Sequence, residues 1–231
     1  MNNISIIVFS KERPIQLHAY IESLLYFSDA KQYNITILYR KSSVCDYSKV
    51  IKIFPLINWI VENKFYDNLL KFINNANDFL MFGCDDVVFK NRFKLVYAKE
   101  ILLKNEQIFG FSFRLGKNIR PLPKNASKSK NVIEWCWKNT NSPHYNYPWE
   151  LDCTLYRKVD VLQMLEATNE IIYNPNYLES VFADNSSRYI NRSNLACMNS
   201  KSQAIVITVN RVQDSHINPI DDKKKYRCCQ S

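Results

Sequence analysis

Short apolar runs alternate with segments of helical period four times before residue 115, and few folds accommodate that alternation. Residues 4–9 form one β-branched and aromatic run of the length of a buried strand. Ser10-Lys11-Glu12-Arg13-Pro14 follows, and Pro14 suits the first turn of a helix, where its missing N–H is not needed. Leu17, Ile21, Leu24, Leu25 and Phe27 then recur at helical spacing, which predicts a helix over 14–28. Residues 34–39 predict a second strand, so the chain opens as a parallel β-α-β unit with a right-handed crossover. The pattern continues with a short helix over 45–53, an extended segment at 57–61 and a helix over 66–75. A strand at 79–82, a helix over 93–103 and a strand at 108–113 complete it. The expectation is an α/β fold: one doubly wound, Rossmann-like domain with a mainly parallel central sheet flanked by helices. In such sheets ligands bind beyond the carboxyl ends of the strands.

Composition narrows the function classes. A chain of 231 residues suits one domain, or one with a smaller appended region. Only three Gly occur, which disfavours a Gly-rich phosphate loop. Seven Cys with no signal-peptide pattern predict free thiols in a reducing, cytoplasmic setting. The adjacent pair Cys228-Cys229 cannot chelate zinc as a C-x-x-C would. No apolar run approaches the roughly 18 residues of a membrane span. The net charge of +9 implies an anionic partner: nucleic acid, an anionic membrane surface or a phosphorylated substrate. No nucleic-acid recognition motif accompanies the charge, so no nucleic-acid partner is expected. The basic tail over 223–231 is expected either to solubilise the chain or to touch anionic lipid, at about 1 kcal/mol per Lys or Arg near such a surface.

Two adjacent acids stand out. In residues 77–89, an apolar run ends at Gly83, and Asp85-Asp86 precede a second run, Val87-Val88-Phe89. Two acids between two buried runs cannot both be buried without a partner, because unpaired buried charge is very costly. They either face a cleft from a strand end or hold a cation. A hard divalent ion fits such a pair, and Mg²⁺ in particular binds through one or two carboxylates plus a substrate's phosphates. The segment from Ser10 to Arg13, the acids Asp85 and Asp86, and Arg114 all fall at C-terminal ends of expected strands.

The second half reads less regularly. Residues 117–147 hold Pro121, Pro123 and Pro143 among Lys, Asn and Ser, which predicts mostly loop, a lid or disorder, with a hairpin strand at 132–137. Trp135, Trp137, Tyr145, Tyr147 and Trp149 suggest some order; aromatic residues are more often core than platform, and Trp149 is taken as the one facing a sugar ring. A strand at 153–156 and a helix over 159–166 follow. Asn174 and Pro175 read as the cap and first residue of another helix, with Glu179 in its opening turns. Residues 204–209 predict a last strand, and His216 follows it.

Cys84-Asp85-Asp86 at the end of its strand resembles the Asp-x-Asp region of nucleotide-sugar-dependent glycosyltransferases of the GT-A fold, with Cys84 where that family usually has an acid. The resemblance extends to the order of elements along most of the chain. It implies a nucleotide-sugar-binding half over 1–116 and an acceptor-binding half over 117–222. It implies Mn²⁺ or Mg²⁺ on Asp86, with Asp85 and His216 as further ligands. Ser10, Lys11, Arg13, Asp85 and Arg114 would contact a UDP-type donor, and Trp149 the acceptor. Glu179, or else Asp152, would be the general base of an inverting transfer to a saccharide or lipid-linked saccharide, as in polysaccharide biosynthesis. Two other classes stay open: a sugar-nucleotide nucleotidyltransferase, though residues 10–14 lack its Gly-rich loop, and a non-catalytic basic protein binding an anionic glycan or nucleic acid.

Overall fold

The computed structural model describes residues 3–41 and 45–207. In chain order, β1 (Ile4–Lys11), α1 (Pro14–Phe27), β2 (Asn34–Arg40), α2 (Ser48–Ile53) and β3 (Asn58–Val61) form the first units. Next come α3 (Phe65–Asn75), β4 (Phe79–Cys84), β5 (Val87–Phe89), α4 (Leu95–Lys104) and β6 (Ile108–Ser112). The second half adds β7 (Ser127–Lys128), β8 (Val132–Cys136), β9 (Thr154–Arg157), α5 (Lys158–Ala167), α6 (Pro175–Asp184), α7 (Ser186–Tyr189), β10 (Asn194–Met198) and β11 (Ala204–Val206).

Nine strands make one sheet in the order β3-β2-β1-β4-β9-β6-β10-β8-β7, and β5 pairs with β11 in a separate ribbon. The first four strands are parallel neighbours. Strand β9 runs antiparallel to both β4 and β6, β10 is parallel to β6, and β8 runs antiparallel to β10 and β7. Only β9 and β8 therefore oppose the common direction, which agrees with the mainly parallel sheet expected.

The apolar runs of β1 and β4 are continuous because both faces of the sheet are covered. Ile4, Ile6 and Val8 join Phe79 and Met81 on one face, under Leu17, Tyr20, Ile21 and Leu24 of α1 and Leu95, Ala98 and Leu102 of α4. Ile7, Phe9, Leu80 and Phe82 point the other way, against Leu69 and Ile73 of α3, Val161 and Met164 of α5, and Phe182 of α6. Strand order grows outward from β1 to β3 on one side, then restarts at β4 on the other. That reversal makes a switch point between β1 and β4, and sheets of this kind bind ligands beyond the carboxyl ends of such strands.

Two expectations for the second half change. Residues 117–147 are not an open lid: Trp135, Trp137 and Tyr145 are buried. Trp135 Nε1 donates to the Tyr145 carbonyl (2.7 Å), and the Tyr145 hydroxyl donates to the Gly116 carbonyl (2.9 Å). Aromatic burial holds a segment whose Pro and Lys content reads as loop. Strand β10, too short at five residues to stand out in the sequence, sits between β6 and β8. Among the described residues no helix is long and apolar enough to cross a membrane. His216 and the basic tail lie outside the described residues.

Gly83 sits on β4 against the Tyr20 side chain of α1. A Cβ there would come within 2.6 Å of Tyr20 Cζ and would overlap the hydroxyl, and the Tyr20 ring is fully buried and unable to move aside. Gly83→Ala is expected to cost about 1–3 kcal/mol by overpacking, measured by urea denaturation. Combining it with Tyr20→Leu should cost less than the sum of the two single changes, since the clash is then removed.

Candidate active site

Local backbone geometry brings the first group together. After β1, Glu12 takes a left-handed conformation (φ 57°), sparsely populated for a residue with a side chain. The turn places Arg13 at the cap of α1, with Pro14 as first helical residue. The Asp85 N–H donates to the Phe9 carbonyl (3.1 Å), which fastens the β4–β5 turn beside the end of β1.

Arg13 and the acid pair then close on one another. Arg13 Nη1 lies 3.0 Å from Asp85 Oδ1 and 3.4 Å from Asp86 Oδ2. Asp85 Oδ2 accepts from the Ser10 hydroxyl (2.8 Å) and from the Lys11 N–H (3.3 Å). Tyr47 extends the network: its hydroxyl lies 2.8 Å from Ser10 Oγ and accepts the Arg13 N–H (3.2 Å). Burial pushes the Asp85 carboxyl up to about 6, with the Arg13 charge working against the rise. The carboxylate therefore needs these partners to stay ionised at neutral pH.

This geometry bears on the residues assigned from sequence. Both Asp85 oxygens accept from protein donors, so Asp85 fixes the turn. Arg13 is buried against the acids. Asp86 is the acid left open, with its side chain 21% exposed. Among the described residues no group of three or more His, Cys, Asp or Glu is arranged to hold a metal. A cation here would rest on Asp86 plus oxygens supplied by a bound diphosphate, a donor set that suits Mg²⁺ or Mn²⁺.

A second wall comes from β6, β9 and α6. Glu150 is 3% exposed. Its Oε1 accepts from the Ser112 hydroxyl (2.8 Å) and from the Thr154 hydroxyl, while Oε2 accepts from Arg114 Nε (2.6 Å) and pairs with Nη2. Three residues on from Glu150, Cys153 adopts φ 67°. Its N–H donates to the Phe82 carbonyl (3.0 Å) and its carbonyl accepts the Phe113 N–H (3.1 Å), so the bend is pinned between β4 and β6. That bend lets Asp152 stay half-buried at the strand ends while the chain turns into β9.

On α6, Asn174 caps the helix as expected, accepting the Tyr177 N–H (2.7 Å). Glu179 follows in its second turn, half-buried, with Tyr147 acting to lower its raised carboxyl. Burial raises the carboxyls of both Asp152 and Glu179 far above the ordinary range. Asp86 and Glu150 add to the rise at Asp152, and Asp152 and Glu150 add to it at Glu179; Arg114 opposes both. Asp86, Asp152, Glu179 and Arg114 thus share one electrostatic neighbourhood.

Trp149 does not face it. The ring is fully buried, stacked on Tyr156 (4.8 Å) and edge-on to Phe82 (5.4 Å) and Phe182 (5.1 Å). The expected sugar platform is a core residue. Glu150 and Tyr147 are the site residues that sequence reasoning passed over. Glu150 had a signal: Arg114 at a strand end needs an acid, and Glu150 shares the short stretch with Asp152. A cavity of about 270 Å³ between Glu106, Phe109, Asp160 and Arg192 lies at the opposite end of β6 and contains no candidate residue.

No family model matches the chain. It is homologous to a segment of the bifunctional glycosyltransferase pgtA of Dictyostelium discoideum, with 29% identity across 96% of this chain and 34% of the relative. The chain thus spans about a third of the length of that curated relative. Its fold matches that of S. aureus TarS 1-349, with a TM-score of 0.56 at 17% identity over 88% of this chain and 60% of the other. The same protein in complex with UDP-GlcNAc gives a TM-score of 0.58 at 16% identity over 88% and 58% of the two chains. These likenesses establish a GT-A-like α/β fold.

Arg13 and Asp85 should be strongly coupled in stability. Arg13→Met strands a buried carboxylate and is expected to cost about 3–5 kcal/mol in urea denaturation. Adding Asp85→Asn should recover a large part of that loss, because the uncompensated charge is gone.

Proposed function

We propose that this chain is a nucleotide-sugar-dependent glycosyltransferase, moving a sugar from a nucleoside diphosphate donor of UDP type to a saccharide or lipid-linked saccharide hydroxyl. One observation carries the reading. Asp86, Asp152, Glu179 and Arg114 lie within electrostatic reach of one another, in a chain that aligns almost throughout with a segment of a glycosyltransferase.

The residues divide the work by how well they are compensated. Asp85 and Arg13 hold the β4–β5 turn so that Asp86 is presented to the donor diphosphate. A divalent cation, when bound, would be held by Asp86 and diphosphate oxygens and would offset charge on the leaving group. Arg114, fixed by Glu150, supplies fixed positive charge in the same cleft. Glu179 takes the acceptor hydroxyl's proton as the new glycosidic bond forms, which suits an inverting transfer. Asp152 is the second carboxylate able to serve, since it too lacks a full set of partners. A raised carboxyl is a stronger base once ionised, which favours proton abstraction near neutral pH.

The test is a screen of nucleotide sugars for turnover and stabilisation. UDP with Mn²⁺ at about a hundredfold over its Kd should add about 2.7 kcal/mol of stability, seen as a rise in Tm. Asp86→Ala should keep the fold, because Arg13 retains Asp85, yet lose turnover and most of that rise. Retention of both would remove Asp86 from the site. If no nucleoside diphosphate shifts Tm and no nucleotide sugar is turned over, a binding protein is the better reading.

The pH dependence is also set. Glu179 must be ionised to act, and its carboxyl is raised, so kcat/KM should climb with pH through the neutral range and not near the unperturbed value of about 4.3. Glu179→Gln should lower kcat by about 100-fold or more and flatten that limb with little change in UDP affinity. An unchanged profile in this variant would transfer the role to Asp152.

A further inference from the structure

The turn between α2 and β3 is held firmly on its inner side and is apolar on its outer side. Ile51, Phe54, Ile57 and Trp59 pack against the core layer shared with α1. The Phe54 carbonyl accepts both the Ile57 N–H (3.3 Å) and the Trp59 Nε1–H (3.2 Å). The Phe54 ring also meets His18 of α1 edge-on at 5.3 Å. Residues 54–57 thus close a turn whose central pair is Pro55 and Leu56, with Pro where its fixed φ suits. Leu56 is fully exposed, Ile53 is 54% exposed, and Pro55 is exposed between them. Apolar side chains scattered singly over a surface are ordinary. Three within four residues, on a turn fixed by its neighbours, form a tip.

The flank of the tip is basic. Residues 48–61 contain Lys49 and Lys52, both exposed, and no acid. Asp46, the nearest acid before them, is turned onto Ser48, from whose N–H and hydroxyl it accepts. Glu62, the nearest after them in sequence, follows the far end of β3, about 13 Å of strand away. On α1, Glu22 faces His18 (3.8 Å). An anionic bilayer matches both halves of this surface, because it offers phosphate at the headgroups and an apolar phase just beneath. A nucleic acid would answer the lysines and leave Leu56 in water.

We propose that residues 53–56 dock the chain on an anionic membrane surface. Leu56 and Ile53 enter the boundary between headgroups and acyl chains, and Lys49 and Lys52 meet lipid phosphates. The two lysines can lay their stems along the apolar tip and keep their ammonium groups at headgroup level. The surface is separate from the candidate active site. The turn precedes β3, which runs parallel to β2 and β1, so it sits at the amino end of that strand. Asp85 and Asp86 instead follow the carboxyl end of β4, which is parallel to β1. Docking here does not cover those acids, and it depends on neither the transferase reading nor the basic tail.

The test uses the full chain with vesicles of phosphatidylcholine alone, and of equal parts phosphatidylcholine and phosphatidylglycerol, read by co-sedimentation. Binding is expected on the anionic vesicles, weakening as salt is raised. Leu56→Asp is expected to weaken it by about tenfold or more. Lys49→Glu with Lys52→Glu is expected to lower the preference for phosphatidylglycerol. All three side chains are exposed, so these variants should keep the fold, which the urea midpoint checks. Bromine on the lipid acyl chains locates the contact. Trp135, Trp137 and Trp149 are buried, so quenching by brominated lipid reports the half-buried Trp59 beside the tip. Trp59 quenching on anionic vesicles that Leu56→Asp abolishes supports the proposal. No binding to the anionic vesicles overturns it, as does binding without Trp59 quenching. Binding that Leu56→Asp leaves unchanged also overturns it, and assigns the contact to another surface such as the tail. Self-association that Leu56→Asp breaks, without lipid binding, would make the tip a protein contact instead.

Discussion

One guanidinium shared between two adjacent carboxylates is the contact on which the cleft depends. The turn between β4 and β5 must carry Asp85 and Asp86 side by side at the end of a strand buried on both faces. Arg13, brought back over that strand end by the left-handed turn at Glu12, neutralises the inner acid and touches the outer one. Without the cation, Asp85 would protonate or the turn would open, because a lone buried carboxylate is too costly to keep. With it, the inner acid becomes scaffold and the outer one stays partly exposed.

The opposite wall repeats the logic with different residues. Glu150 and Arg114 form the compensated pair, and Asp152 and Glu179 are left short of partners. Each wall is reached through a non-Gly residue at positive φ, Glu12 on one side and Cys153 on the other. Strain of this kind costs of order 1–3 kcal/mol and persists where surrounding contacts enforce it. Here the sheet supplies them: Cys153 is pinned on one side by Phe82 and on the other by Phe113. Asp85 and Glu150 hold the shape through their partners, while burial and neighbouring acids raise the carboxyls of Asp152 and Glu179.

How much of this was legible in the sequence depended on whether a signal was local. Strand and helix periods through residue 113 gave the parallel half, since each run packs both faces or one stripe without help from distant residues. The cap at Asn174 and Pro175 was likewise readable, because capping is a matter of three residues. Strand β10 and the order of 117–147 were not, because they depend on partners far away in the chain: β10 on β6 and β8, and Tyr145 on Gly116. Asp85 and Asp86 stood out by position in the sequence, whereas Asp152 and Glu179 were named only through the family resemblance. Their division into compensated and uncompensated could not be read in the sequence, as it turns on which cation reaches which oxygen. Trp149 shows the same limit from the apolar side, since nothing near it in sequence announces Tyr156 and Phe182 as its neighbours.

The most direct test of the account is where a donor diphosphate binds. A crystal structure of the chain grown with UDP and Mn²⁺ should show the diphosphate beyond the ends of β1 and β4, with Asp86 at the metal and Arg13 still against Asp85. Diphosphate density elsewhere, such as the cavity beside Asp160 and Arg192, or Asp86 turned away from it, would contradict the central claim.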